Sequence, residues 1–153
     1  MNIKKNFYLA VIYPIIALSA LNFWFRKMKR VKLDLEFIFK ASPTLLYTFI
    51  TTPACLVRWF CDGVEINEDL FSFSWNGSFE DAEMVDDIED ERVRFKWLDA
   101  DDESEYFEFR MYKSDVTLET ILEVTDFCDQ GDEKSTKDLW TQQITALRQE
   151  CGG

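Results

Sequence analysis

The chain has 153 residues and a mass of 18.1 kDa, which is room for one ordinary domain. Its 5 glycines leave no G-x-G-x-x-G and no Walker-type loop. The absence of histidine removes Ser-His-Asp triads, Cys-His dyads and histidine-bearing metal sites. With 17 Lys and Arg against 29 Asp and Glu the formal charge is -12, a balance that repels phosphate backbones and argues against nucleic acid as a partner.

Charge is unevenly placed. Residues 1–27 carry Lys4, Lys5, Arg26 and Lys27 and no acid, which leaves 13 bases against all 29 acids, a charge of -16, on Met28–Gly153. The contrast divides the chain into an apolar N-terminal extension, 1–27, and a domain, 28–153. Within the extension, Phe7–Phe25 is a 19-residue apolar run interrupted by Pro14, Ser19 and Asn22. As a helix at about 1.5 Å per residue it approaches the roughly 30 Å hydrocarbon core. The run admits three readings. Lys4 and Lys5 fit the basic region of a signal peptide, with Ala17-Leu18-Ser19 as a weak cleavage site. Five bases after the run against two before it fit a membrane anchor with the domain in the cytoplasm. Alternatively translation starts at Met28 and the first 27 residues are an upstream artefact.

The domain opens on a strand: Val31, Leu33, Leu35, Phe37 and Phe39 alternate with Lys32, Asp34, Glu36, Ile38 and Lys40. Ser42 before Pro43 reads as an N-cap, and Leu45, Leu46, Phe49 and Ile50 give the helix one apolar face. Thr52-Pro53 ends it and starts a second short helix, Ala54–Phe60, which stops at Asp62-Gly63. Phe71, Phe73 and Trp75 then alternate with Ser72 and Ser74 up to the hairpin signal Asn76-Gly77. Phe79–Ile88 reads as a polar, edge-like strand with Ala82 and Met84 on one face. Val93, Phe95 and Trp97 form the next strand, and Phe107, Phe109 and Met111 the one after. Thr117–Phe127 is the last strand, with Leu118, Leu122 and Val124 facing inward. From Asp132 to Glu150 the period is helical, Trp140, Ile144 and Leu147 sharing a face with Leu139 and Gln143.

This order, with particular residues, resembles the helix-grip (SRPBCC) superfamily of START-like and Bet v 1-like proteins, nearest the branch of the C-terminal domain of activators of the Hsp90 ATPase. The residues that carry it are Ala41-Ser42-Pro43, Leu46-Tyr47, Phe49, Thr52-Pro53, Leu56, Trp59-Phe60, Phe73-Ser74-Trp75 with Gly77, and Val93-Arg94-Phe95-Lys96-Trp97. Further along come Tyr106-Phe107-Glu108-Phe109, Val124-Thr125-Asp126-Phe127 and Leu139-Trp140, Gln143-Ile144 and Leu147. The resemblance implies an α+β fold. A curved antiparallel sheet wraps a long C-terminal helix, two short helices follow the first strand, and an apolar cavity often lies between sheet and helix. Members bind lipids and apolar ligands, assist chaperones or act as cyclases, so the fold does not name one activity.

In such a fold Trp59, Trp75, Trp97, Phe107, Phe109, Met111, Leu122, Trp140 and Ile144 point between sheet and helix. They either line a ligand cavity or fill the core outright. Asp126 is in phase with Leu122 and Val124, and a carboxylate facing a cavity has a raised pKa; Arg58, beside Trp59, either forms a salt bridge or meets a ligand's polar end. The acidic run Asp99, Asp101, Asp102, Glu103, Glu105 is no calcium loop, since its sixth position is not glycine and its twelfth is Arg110; it reads as a solvated hairpin tip, as does the run Asp86 to Glu91. Cys55, Cys61, Cys128 and Cys151 form no C-x-x-C pair and read as reduced cytosolic thiols. The sequence-level expectation is a cytoplasmic, non-catalytic domain without metal or cofactor. It binds an apolar small molecule or lipid, or, in the alternative, a protein partner as Hsp90 activators do. A cyclase-like enzyme ranks third.

Overall fold

The computed structural model describes Lys29–Gly152, so the apolar run Phe7–Phe25 and the boundary at Met28 lie outside the described residues. The order is β1 (Arg30–Phe39), α1 (Pro43–Thr51), α2 (Pro53–Leu56), β2 (Gly63–Asn67), β3 (Leu70–Trp75), β4 (Ser78–Ile88), β5 (Arg92–Trp97), β6 (Phe107–Lys113), β7 (Thr120–Asp129) and α3 (Glu133–Cys151). The seven strands form one antiparallel sheet in the order β1-β7-β6-β5-β4-β3-β2, which does not close on itself. This is the α+β helix-grip arrangement that the chain's pattern predicts.

Period-two alternation sets the sheet's two faces. Phe39, Phe71, Phe73, Phe95, Phe107, Phe109 and Val124 are buried on the inner face, while Lys32, Asp34 and Glu36 of β1 and Asp81 and Glu83 of β4 face solvent. Asn76 and Gly77 both take positive φ, 50° and 80°, the geometry of a tight β3–β4 hairpin. Gly63 has a different reason to be glycine: a Cβ there would sit 2.8 Å from Ser74 Oγ on the paired strand.

Three local expectations differ from the structure. β4 is an interior strand between β3 and β5, and the edges are β1 and β2; its polarity reflects a solvated outer face and a bulge between Met84 and Asp86. Leu118 does not face inward. It takes φ 60° in the β6–β7 turn, where its N–H bonds Ser114 O, and is 72% exposed, so β7 begins only at Thr120. The second helix is Pro53–Leu56 rather than Ala54–Phe60, because the chain turns after Leu56 to send Trp59 and Phe60 into the core.

The helices are fixed by local chemistry. Ser42 Oγ accepts from Leu45 N–H and Pro43 occupies the first turn of α1. α3 buries Trp140, Ile144 and Leu147 and ends on Gly152 in the left-handed conformation. Arg148 fastens its C-terminal end to β1, lying 5.0 Å over the Phe39 ring and donating to Ile38 O.

Candidate functional site

The candidate aromatics meet between the sheet's inner face, which supplies Trp75, Trp97, Phe107 and Phe109, and α3, which supplies Trp140. Trp75 and Trp97 have ring centroids 6.3 Å apart, Trp97 and Phe107 4.7 Å, Phe107 and Phe109 6.0 Å, and Phe109 and Trp140 5.6 Å. The row begins at half-buried Trp75 and ends under α3, where Trp140 is buried. Met111 and Leu122 stand opposite each other on β6 and β7, and Ile144 lies one turn beyond Trp140; all three are fully buried. Trp59 packs on Phe60 and Phe109 and donates from Nε1 to Phe49 O at 2.9 Å.

The residue that joins these rings is Phe60, which the sequence pattern alone did not single out as a site residue. It meets Trp59, Phe73, Trp75, Phe107, Phe109 and Trp140 at centroid distances of 5.1 to 6.4 Å. Its carbonyl also accepts from Trp75 Nε1 at 2.8 Å. The tandem aromatic Trp59-Phe60 before an Asp-Gly stop was the available signal.

Asp126 points inward from β7, as its phase requires, and is 3% exposed. Both of its oxygens are engaged: Oδ2 accepts from Trp140 Nε1 at 2.8 Å and Oδ1 from Phe127 N–H at 2.8 Å. Burial pushes its pKa up, while the two hydrogen bonds pull the other way. Arg58 lies outside the row. Its side chain is 54% exposed, pairs with Glu150 at the end of α3 and covers the Phe49 ring at 5.7 Å.

Carboxylates beyond those expected are also withdrawn from solvent: Glu105 and Glu108 are buried and Glu80 is half-buried. Glu105, read from sequence as part of a solvated tip, is 7% exposed and held by Arg30 through Nε and Nη2, both at 2.6 Å; Arg30 also reaches Asp129 Oδ1 at 2.9 Å. This closes the start of β1 against the end of β7. The second acidic run is likewise tied down, with Tyr47 donating to Asp87, Thr44 to Asp90 and Arg92 paired with Asp86.

Half-buried Glu80 is also directed inward. It stands opposite Phe73, two residues before buried Ala82, and so belongs to the inner face. Its Oε2 is buried without a hydrogen-bond partner, and desolvation, reinforced by Asp99, raises its pKa. Phase with Ala82 and Met84 was the signal that would have found it. Among the described tryptophans, Trp59, Trp75 and Trp140 have bonded indoles, whereas buried Trp97 Nε1 has no partner.

No cluster of three or more metal-ligating side chains occurs among the described residues, and no described helix is long and apolar enough to cross a membrane. All four cysteines carry free thiols.

An open antiparallel sheet gripping a terminal helix over an aromatic inner face defines a helix-grip domain. The chain belongs to the START-like superfamily, whose domain matches residues 27–153. It is similar to the solution structure of BfR322 from Bacteroides fragilis, at 34% identity over 81% of this chain and 93% of that one, with a TM-score of 0.59. The Aha1 dimer from Colwellia psychrerythraea shares the fold at 18% identity, 79% and 96% coverage and a TM-score of 0.67. CalU16 from Micromonospora echinospora does so at 14% identity, 80% and 82% coverage and a TM-score of 0.58. No curated protein sequence matches the chain.

Proposed function

We propose that this START-like domain acts in the cytoplasm as a non-catalytic binder of an apolar small molecule or lipid, taken up along the inner face between sheet and α3. The observation that carries this is the aromatic row from half-buried Trp75 to buried Trp140. It gives an apolar molecule a continuous wall that starts near solvent and runs beneath the helix. Trp59, Met111, Leu122 and Ile144 extend that wall.

The non-catalytic part rests on Asp126. A general acid or base needs a proton path to a reacting atom, and both Asp126 oxygens are already occupied by donors of the fold itself. Four free thiols support the cytoplasmic placement.

Titration of the full chain with an apolar probe, read by tryptophan fluorescence, tests this. Saturable binding at micromolar concentration, about -8 kcal/mol, is expected, together with a small molecule retained in native mass spectrometry of protein purified from cells. A bare protein that no apolar probe saturates would contradict it and favour a protein partner of the Hsp90-activator kind.

A further inference from the structure

Glu80 and Trp97 are neighbours by register. Ala82 pairs with Trp97 across β4–β5, and Glu80 lies two residues before Ala82 on the same face, so the two side chains are diagonal neighbours. Such positions are within reach of long and aromatic side chains. Each holds a buried polar atom without a partner: an acceptor at Glu80 Oε2 and a donor at Trp97 Nε1. Trp97 is more than nine-tenths buried, and its N–H belongs to the ring that continues the row toward Phe107. A buried donor or acceptor left without a partner is destabilising, so two such atoms on diagonally neighbouring side chains call for a common partner.

The chemistry of that partner is restrictive. An ammonium group would meet the carboxylate and leave the indole N–H unmet. A carboxylate or phosphate would meet the N–H, yet face Glu80 and, two residues beyond Trp97, Asp99. A hydroxyl answers both: its hydrogen goes to Glu80 and its oxygen accepts from Trp97. We propose that Glu80 and Trp97 form a polar anchor for the hydroxyl group of an otherwise apolar alcohol or phenol, whose body lies along the aromatic row. This rests on the apolar-binding function proposed above and specifies the ligand's polar end.

Isothermal titration calorimetry of the full chain at pH 7 with 2-naphthol, 2-methylnaphthalene and 2-naphthoate tests it. The three share one ring system and differ in the group presented to the anchor. The alcohol is expected to bind at least about tenfold more tightly than the methyl analogue, equivalent to about 1.4 kcal/mol, and the carboxylate more weakly than either. Trp97→Phe and Glu80→Met should each bring the ratio of 2-naphthol to 2-methylnaphthalene affinity to about one, and Glu80→Met should keep or raise the melting temperature. Equal affinity of wild type for the alcohol and its methyl analogue would mean that only water fills the anchor, and overturns the proposal while the apolar site stands. A preference that survives both substitutions also overturns it. Absence of binding by all three overturns the apolar-binding function and the anchor with it.

Discussion

The inner face holds two indole–carboxylate pairings of opposite character. Trp140 and Asp126 meet at 2.8 Å, and the second carboxylate oxygen is taken by Phe127 N–H, so every polar atom of that pair has a partner within the fold. Trp97 and Glu80, on neighbouring strands of the same face, each keep a buried polar atom unpaired. Both carboxyls are pushed up in pKa by desolvation. An indole and a carboxyl therefore do different work in the two places: Trp140 and Asp126 lock α3 to β7, and Trp97 and Glu80 leave hydrogen-bonding capacity on an aromatic wall. The functional groups are shared, and completeness of hydrogen bonding separates the closed pair from the proposed anchor.

Breaking the closed pair has the largest expected effect. Trp140→Ala removes a buried ring from between Phe60 and Phe109 and strips Asp126 of a donor, so a loss of about 3–5 kcal/mol is expected in denaturant unfolding. Arg30→Met should cost about 2–4 kcal/mol, since buried Glu105 loses its bidentate partner. Trp140→Phe keeps most of the ring and deletes the N–H; about 1–3 kcal/mol is expected, with the Asp126 pKa moving further up.

The pH dependence sharpens the contrast. A carboxyl whose folded pKa is raised holds its proton to higher pH in the folded state than in the unfolded chain. Its contribution is complete below the unfolded value, about 4, and is lost as pH rises through the raised folded value. Asp126 and Glu80 both act in this sense. Melting curves between pH 4 and 8 should therefore show a shallower decline in Asp126→Asn and in Glu80→Gln than in wild type. An unchanged slope in both variants would place the acid-side titration elsewhere. The smallest effect belongs to the open pair: Glu80→Met should change stability by no more than about 1 kcal/mol, in the stabilising direction, because it removes an unpaired buried atom, whereas Trp97→Phe sets the same relief against the lost packing of a smaller ring on Phe107.

Most of the fold was legible because alternation and caps are local signals. The phase of β1, the Ser42-Pro43 start of α1, the Asn76-Gly77 hairpin and the face of α3 all follow from neighbours in sequence. What escaped was set by distant contacts. β4 carries the acids of a typical edge yet is interior, because it pairs with β3 on one side and β5 on the other while its outer face meets water. Leu118 is apolar and in phase with the strand, yet the turn's positive φ takes it out. The same limit holds for the site. Asp126's inward phase was visible from Leu122 and Val124, but its engagement by Trp140, 14 residues away, was not. Glu105 looked like one more solvated acid until Arg30, 75 residues away, closed on it. Glu80 had the right phase and was hidden by the surrounding acidic pattern.

The most direct test is a proton–nitrogen correlation spectrum of the full chain with its tryptophans labelled at the indole nitrogen, recorded while 2-naphthol is added. The Trp97 indole N–H should move progressively downfield to a plateau as it gains an acceptor, while the Trp140 indole N–H, already bonded to Asp126, holds its position. A plateau reached with Trp140 shifted and Trp97 unmoved would contradict the division of the inner face into a closed core pair and an open binding pair.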